Sequence, residues 1–147
     1  MNGELFKQYQ ILIGLIQRLS ERRQHTTQIY LAVNAALLTL SSFIVSKIEF
    51  ETTMRTILVV AIFAVGIVIC EIWHRMLKQY NVLARWRYDF LIKLESEIEG
   101  IEKFYGEERK QLESLRYKSF SELEMWLPIL FKILYLLVIV FMLIRMV

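Results

Sequence analysis

The sequence predicts an all-α membrane protein: three transmembrane helices with long cytoplasmic helical extensions. Two observations predict it. Three apolar runs, at 29–45, 57–73 and 125–147, fill much of the 147 residues, and spanning a bilayer as a helix takes roughly 20 mostly apolar residues. The chain is also 56% hydrophobic with a single proline and a mean hydropathy of +0.41, a composition that suits membrane helices better than a soluble domain of this length. A soluble helical bundle is the alternative, but helices apolar on every side are rare outside a large core. With three spans no soluble domain is left over. Function then rests on helices, on a cytoplasmic collar and on several copies of the chain.

Residues 4–27 read as an N-terminal cytoplasmic amphipathic helix. Leu5, Tyr9, Leu12, Ile16 and Leu19 recur at alternating steps of four and three, which sets them on one seam. No proline, and no glycine after Gly14, separates this helix from a first span over 28–46, so the two are expected to run on. A charged stretch ahead of this span is unlike a secretory signal, and no cleavage is expected. The second span covers 55–73. Glu71, Trp73 and Arg75 read as anchors at its interface end, where Trp is enriched, and Glu71 and Arg75 make a favourable pair four residues apart. A helical arm follows over 74–100, its seam carrying Leu77, Tyr80, Ala84, Leu91 and Leu94 as collar and oligomer contacts, with Arg87 a polar break. Gly100 reads as its stop.

The apolar period fails between Gly100 and Gly106, so 101–120 reads as a cytoplasmic loop with a short charged helix from 107. Ser121 and Glu124 have the spacing of a capping box ahead of the third span, 125–145. Pro128 falls soon after the cap, where a missing N–H is tolerated. Trp126 reads as a further interface anchor, and Lys132 as one that snorkels to the headgroups.

Positive residues mark the cytoplasmic side. Lys7, Arg18, Arg22 and Arg23 precede the first span, and Arg75, Lys78, Arg85, Arg87, Lys93, Lys103, Arg109, Lys110, Arg116 and Lys118 follow the second. Both sets fall on the same side if all three runs cross. The expected orientation is N-terminus cytoplasmic and C-terminus outside.

Polar groups inside a span are the default functional candidates. Arg23, Thr27, Tyr30, Asn34 and Ser41 share one helical stripe and are the pore-lining candidates. The alternative is that they glue packed helices together. Gly66, Cys70, Ala61 and Ala64 offer the second span a small-residue surface. The Arg85-Trp86-Arg87-Tyr88 run could stack on bases and meet phosphate. Asp89, Glu95, Glu97 and Glu99 cancel its field, however, so it reads as a collar helix with solvated charges and buried rings, and nucleic acid is not expected. With two histidines and one cysteine a Cys/His zinc site is excluded within one chain. No metal and no cofactor is expected. Arg18 and His25 have the spacing of the ribonuclease motif of HEPN domains, a permissive pattern with no soluble domain to house it, and no enzyme activity is expected.

Three segments carry a family likeness. Residues 19–38, LSERRQHTTQIYLAVNAALL, join an Arg-containing approach to an Asn in the span. Residues 69–95, ICEIWHRMLKQYNVLARWRYDFLIKLE, hold the interface Trp and the aromatic pattern of the arm. Residues 120–135, FSELEMWLPILFKILY, hold Trp-Leu-Pro ahead of an aromatic–aliphatic span. Together they resemble the RipA-type octameric membrane proteins of bacteria. More distantly, the layout resembles the membrane accessory proteins of RNA-targeting CRISPR systems, which are associated with pores and antiphage defence. The resemblance implies a homo-octameric ring in the bacterial inner membrane with a cytoplasmic vestibule. Its partners would be lipid, further copies of itself and a cytoplasmic protein at the collar. The expected function is a channel, pore or membrane-perturbing ring in antiviral (antiphage) defence; the alternative is a non-conducting scaffold or anchor that recruits a cytoplasmic protein through its helical collar.

Overall fold

The computed structural model describes residues 2–47, 51–98, 102–114 and 123–144. Among these there is no strand, and four helices have described bounds: α1 (Asn2–Lys47), α2 (Thr52–Glu97), α3 (Phe104–Ser114) and α4 (Trp126–Ile144); Leu123 and Glu124 are helical as well. Three of them, α1, α2 and α4, are long and apolar enough to cross a membrane. The expected helix stop at Gly100, the capping residue Ser121 and the basic residues Arg116 and Lys118 lie outside the described residues.

At 46 residues each, α1 and α2 are far longer than most globular helices. Neither contains proline, the residue that most strongly breaks a helix interior. The start of α2 is closed by the Arg55 N–H, which donates to the Glu51 carbonyl at 3.0 Å. Pro128 lies in the first turn of α4, where no intrahelical partner is lost.

The chain divides into two compact units. The first comprises Met1–Gln24 and Leu77–Leu123. Here the beginning of α1 packs antiparallel on the end of α2. Tyr9, Leu12, Leu91, Leu94 and Ile98 form the buried core, with Leu5, Ile13, Ile16 and Tyr105 packed around it. Arg87 does not interrupt this seam. Its Nη1 donates to the Leu15 carbonyl at 2.6 Å, so the one polar break is a cross-helix hydrogen bond.

α3 begins at Phe104, earlier than the charged 107–118 stretch suggests. The cause is Glu95, whose carboxylate is 1% exposed. It accepts the Tyr105 N–H and the Gly106 N–H, each at 3.1 Å, and the Tyr9 hydroxyl donates to it at 3.4 Å. First-turn N–H groups have no intrahelical acceptor, and a carboxylate there also meets the positive end of the helix dipole. Arg109 of α3 pairs with Asp89 of α2.

The second unit comprises His25–Met76 and Glu124–Val147 and contains the most apolar stretches of α1, α2 and α4. Ile44, Val59, Phe63, Cys70 and Tyr135 form its core. The surface it leaves outside is greasy: only 11% of the most apolar window of α4 is buried. Such a surface is at home in hydrocarbon, not in water.

Two expectations for α2 are corrected. Leu77, Leu91 and Leu94 are 1%, 0% and 5% exposed within one chain, and Tyr80 and Ala84 are half-buried. The three leucines are core residues and no surface for another copy. The rings of the Arg85–Tyr88 run are not buried. Trp86 is 63% exposed and Tyr88 41%, because the seam that faces α1 takes the positions on the other side of the helix.

Candidate functional site

Within the second unit the polar side chains of the spans converge on Asn34, which has no exposed surface. Its Nδ2 donates to the Tyr30 carbonyl one turn back at 2.7 Å. Its Oδ1 accepts the Tyr135 hydroxyl of α4 at 2.6 Å and the Cys70 thiol of α2 at 3.3 Å. One amide thus ties three helices together, each bond satisfying a group that would be costly to leave unpaired in hydrocarbon. Tyr135 has no exposed surface either. It stacks on Phe63 with centroids 5.2 Å apart and lies against Gly66, where an added Cβ would come within 2.7 Å of the ring. Glycine is required there by this close approach.

A second layer surrounds Trp73. Its ring stacks on Tyr30 with centroids 5.6 Å apart and planes nearly parallel, and tilts against Phe131 at 6.4 Å. With no exposed surface, Trp73 is a packing residue and no lipid-facing anchor. The Tyr30 hydroxyl donates to the Met76 sulfur at 3.3 Å. Thr27 Oγ1 and Trp73 Nε1 are both buried without a hydrogen-bond partner among the described residues.

Glu71 joins the last polar layer. It pairs with Arg75 at 2.8 Å on its own helix and with Lys132 of α4 at 2.5 Å. Lys132 is bound to a carboxylate across the helix pair and does not merely stretch to the headgroups. Trp126, by contrast, is 56% exposed.

The expected pore-lining stripe is therefore an internal seam. Asn34, Ser41 and Thr27 are 0%, 5% and 8% exposed, and Tyr30 and Arg23 are half-buried. A side chain with no surface in one chain lines no aqueous path between chains. The correction has a simple cause: polar groups on a span seek hydrogen bonds, and α2 and α4 supply them inside the chain.

A different face of α1 carries the exposed polar groups. Gln28, Ala32, Ala35, Thr39, Ser42 and Ser46 are all exposed and recur at four, three, four, three and four residues, a single stripe. Between residues 57 and 70 every exposed side chain of α2 is apolar, and so is every exposed side chain of α4. This stripe, the Glu71–Lys132 pair and the role of Glu95 are not evident from the sequence alone. Only the heptad-like step from Gln28 to Ser46 hints at the first of them.

The Arg18 and His25 side chains are exposed, each within its own unit. In the Arg85–Tyr88 run Arg87 is held at the Leu15 carbonyl, and Asp89 just beyond the run pairs with Arg109.

Three apolar helices held by an internal polar knot, with greasy outer faces, define a multi-span helical membrane protein. The chain is more specific than that class: residues 6–144 match the octameric membrane protein family, and the chain belongs to it. No curated protein and no solved structure matches it. Membership implies that the chain associates with copies of itself.

Proposed function

We propose that the chain forms a ring in the bacterial inner membrane whose central path is lined by α1. One observation carries the reading: Gln28, Thr39, Ser42 and Ser46 put the exposed polar groups of the spans on one stripe of one helix. Hydroxyl and amide side chains in a span turn toward protein or water and away from acyl chains. In a closed ring each copy contributes the same stripe, so repeated Ser, Thr and Gln side chains would surround the axis. The conducted species would be a small ion or solute moving passively. The N-terminus would be cytoplasmic and the C-terminus outside, following the basic residues before α1's span and after α2's. No catalytic step is assigned to the chain. Opening the path, in response to a cytoplasmic partner, would depolarise the cell, an outcome suited to antiviral defence.

A scaffold is the second reading. The Thr39 hydroxyl donates to the Ala35 carbonyl of its own helix at 2.9 Å, so the same stripe could close on itself as a dry helix contact. Proteoliposomes distinguish the two. With Cys70→Ala as background, Thr39→Cys or Ser42→Cys in a conducting ring reacts with a water-soluble thiol reagent, and reaction blocks ion flux. Val140→Cys, on the apolar outer face, does not react. No flux from the unmodified protein, or flux indifferent to reagent at positions 39 and 42, would replace the pore by the scaffold.

A further inference from the structure

The Glu71 carboxylate is shared by two cations, Arg75 one turn along α2 and Lys132 of α4. One carboxylate against two cations leaves the cluster with a net positive charge. Arg75 binds Glu71 through Nε, and its side chain is 74% exposed. Among the described residues its two Nη groups meet no acceptor. A guanidinium in that state suits the oxygens of a phosphate.

The position of the cluster along the helix says what surrounds it. From Ile57 to Ile72 every exposed side chain of α2 is apolar, and Arg75 is the first exposed charge after them. It lies 18 residues beyond Ile57, roughly 27 Å at the α-helical rise, close to the roughly 30 Å of a hydrocarbon core. Arg75 therefore stands where headgroups begin. Trp73 meets Phe131 and Gly66 lies against Tyr135, so α2 and α4 run antiparallel. Val68 precedes Glu71 by three residues, Leu136 follows Lys132 by four, and they are 59% and 51% exposed. Both thus lie one turn deeper than the bridge, on its side of their helices. The exposed Ala64 continues the strip a further turn down α2.

We propose that this corner of the α2–α4 pair binds an anionic phospholipid: the phosphodiester sits on Arg75, and an acyl chain lies over Val68, Ala64 and Leu136. The apolar strip followed by a base has the order of a lipid's own parts, tail and then phosphate. The charges are complementary as well, because a lipid of net charge −1 offsets the excess cation of the cluster. A water-borne partner cannot reach Val68 or Ala64. A second copy inserted the same way is a poor occupant, since its own Glu71 at that depth already serves two cations. The inference holds whether or not the ring conducts.

The test is native mass spectrometry of the full chain in mild detergent, titrated with phosphatidylglycerol or phosphatidylcholine. Phosphatidylglycerol should be retained about tenfold better, the effect of one charge-assisted contact. Arg75→Gln should lose that preference with the heat resistance of the protein little changed. Arg22→Gln, the same loss of charge at an exposed base of the first unit, should keep it. Equal retention of the two lipids by the unmodified protein, or an undiminished preference in Arg75→Gln, would overturn the proposal. In membranes, the photoreactive amino acid p-benzoylphenylalanine at position 68 should give lipid adducts. Links to a second chain there would mean that another copy covers the strip, and would overturn it too.

Discussion

The Tyr135 hydroxyl donates to Asn34 Oδ1 at 2.6 Å across 101 residues of sequence. This bond joins α4 to α1, and both residues have no exposed surface. Asn34→Leu leaves the Tyr135 hydroxyl and the Cys70 thiol without an acceptor, whereas Tyr135→Phe removes only one donor. In thermal unfolding in detergent, Asn34→Leu is expected to be the more destabilising. The double-mutant cycle should return a coupling of about 0.6 to 2 kcal/mol, the range of interhelical hydrogen bonds in membranes. A coupling of zero would mean that the two do not meet in the assembled protein.

Gly66 sits where a Cβ would approach Tyr135 Cε2 to 2.7 Å. Gly66→Ala forces the ring to shift and should cost about 1 to 3 kcal/mol, the usual penalty for an overfilled core. Tyr135→Leu in the same chain should recover part of that loss, because the obstructing ring is gone. Comparing the unfolding midpoints of the single and double variants checks the assignment.

Glu71 serves two cations, Arg75 and Lys132. The effect of removing each group should follow the order Glu71→Ala above Lys132→Met above Arg75→Ala. The first strips both cations of their acceptor. The second leaves Glu71 with Arg75. The third removes a side chain that is 74% exposed and contributes little. Heat resistance of the purified oligomer gives the ranking, and an Arg75→Ala loss equal to that of Glu71→Ala would contradict it.

Glu95 is expected to hold α3 in place. Glu95→Ala removes the acceptor of the Tyr105 and Gly106 N–H groups, and each buried donor left unpaired costs about 1 to 3 kcal/mol. Hydrogen exchange over 104–114 should accelerate at least tenfold, while exchange in the spans stays as it was.

Burial, and then Glu95, push the Tyr9 phenol above its ordinary value near 10. The folded chain therefore holds this proton more tightly than the unfolded one. The stabilisation is intact below pH 10 and is lost as pH rises from there through the folded value. Protease resistance of the first unit should decline over that alkaline window, and Tyr9→Phe should decline less. An identical profile for the two proteins would remove Tyr9 as the cause.

The number and kind of helices were legible because each apolar run is longer than a soluble core needs. The seam from Leu5 to Leu19 was legible for another reason: next to water, the greasy side of a helix is the inward side. That rule fails inside a bilayer, where the outside is as apolar as the core. The spacing from Arg23 to Ser41 defines a stripe without saying whether it turns to solvent or to α4. The answer depends on Tyr135, more than a hundred residues away. Trp73 misled for a similar reason, since Trp is enriched at interfaces but is also the largest available packing group. The Trp86 ring looked like a core residue because large rings are usually buried, yet its position on the helix lies off the seam. Arg87 showed the converse, a charge on the seam side that finds a carbonyl.

The partners of Asn34 and Glu71 on α4 have a consequence for synthesis. Ribosomes make Tyr135 and Lys132 after α1 and α2, so a nascent chain holding only those two helices carries an amide and a carboxylate that still await them. Release from the insertion machinery before α4 arrives would leave an unfinished protein that membrane proteases can recognise. Docking of α4 thus completes the hydrogen bonding of both earlier spans.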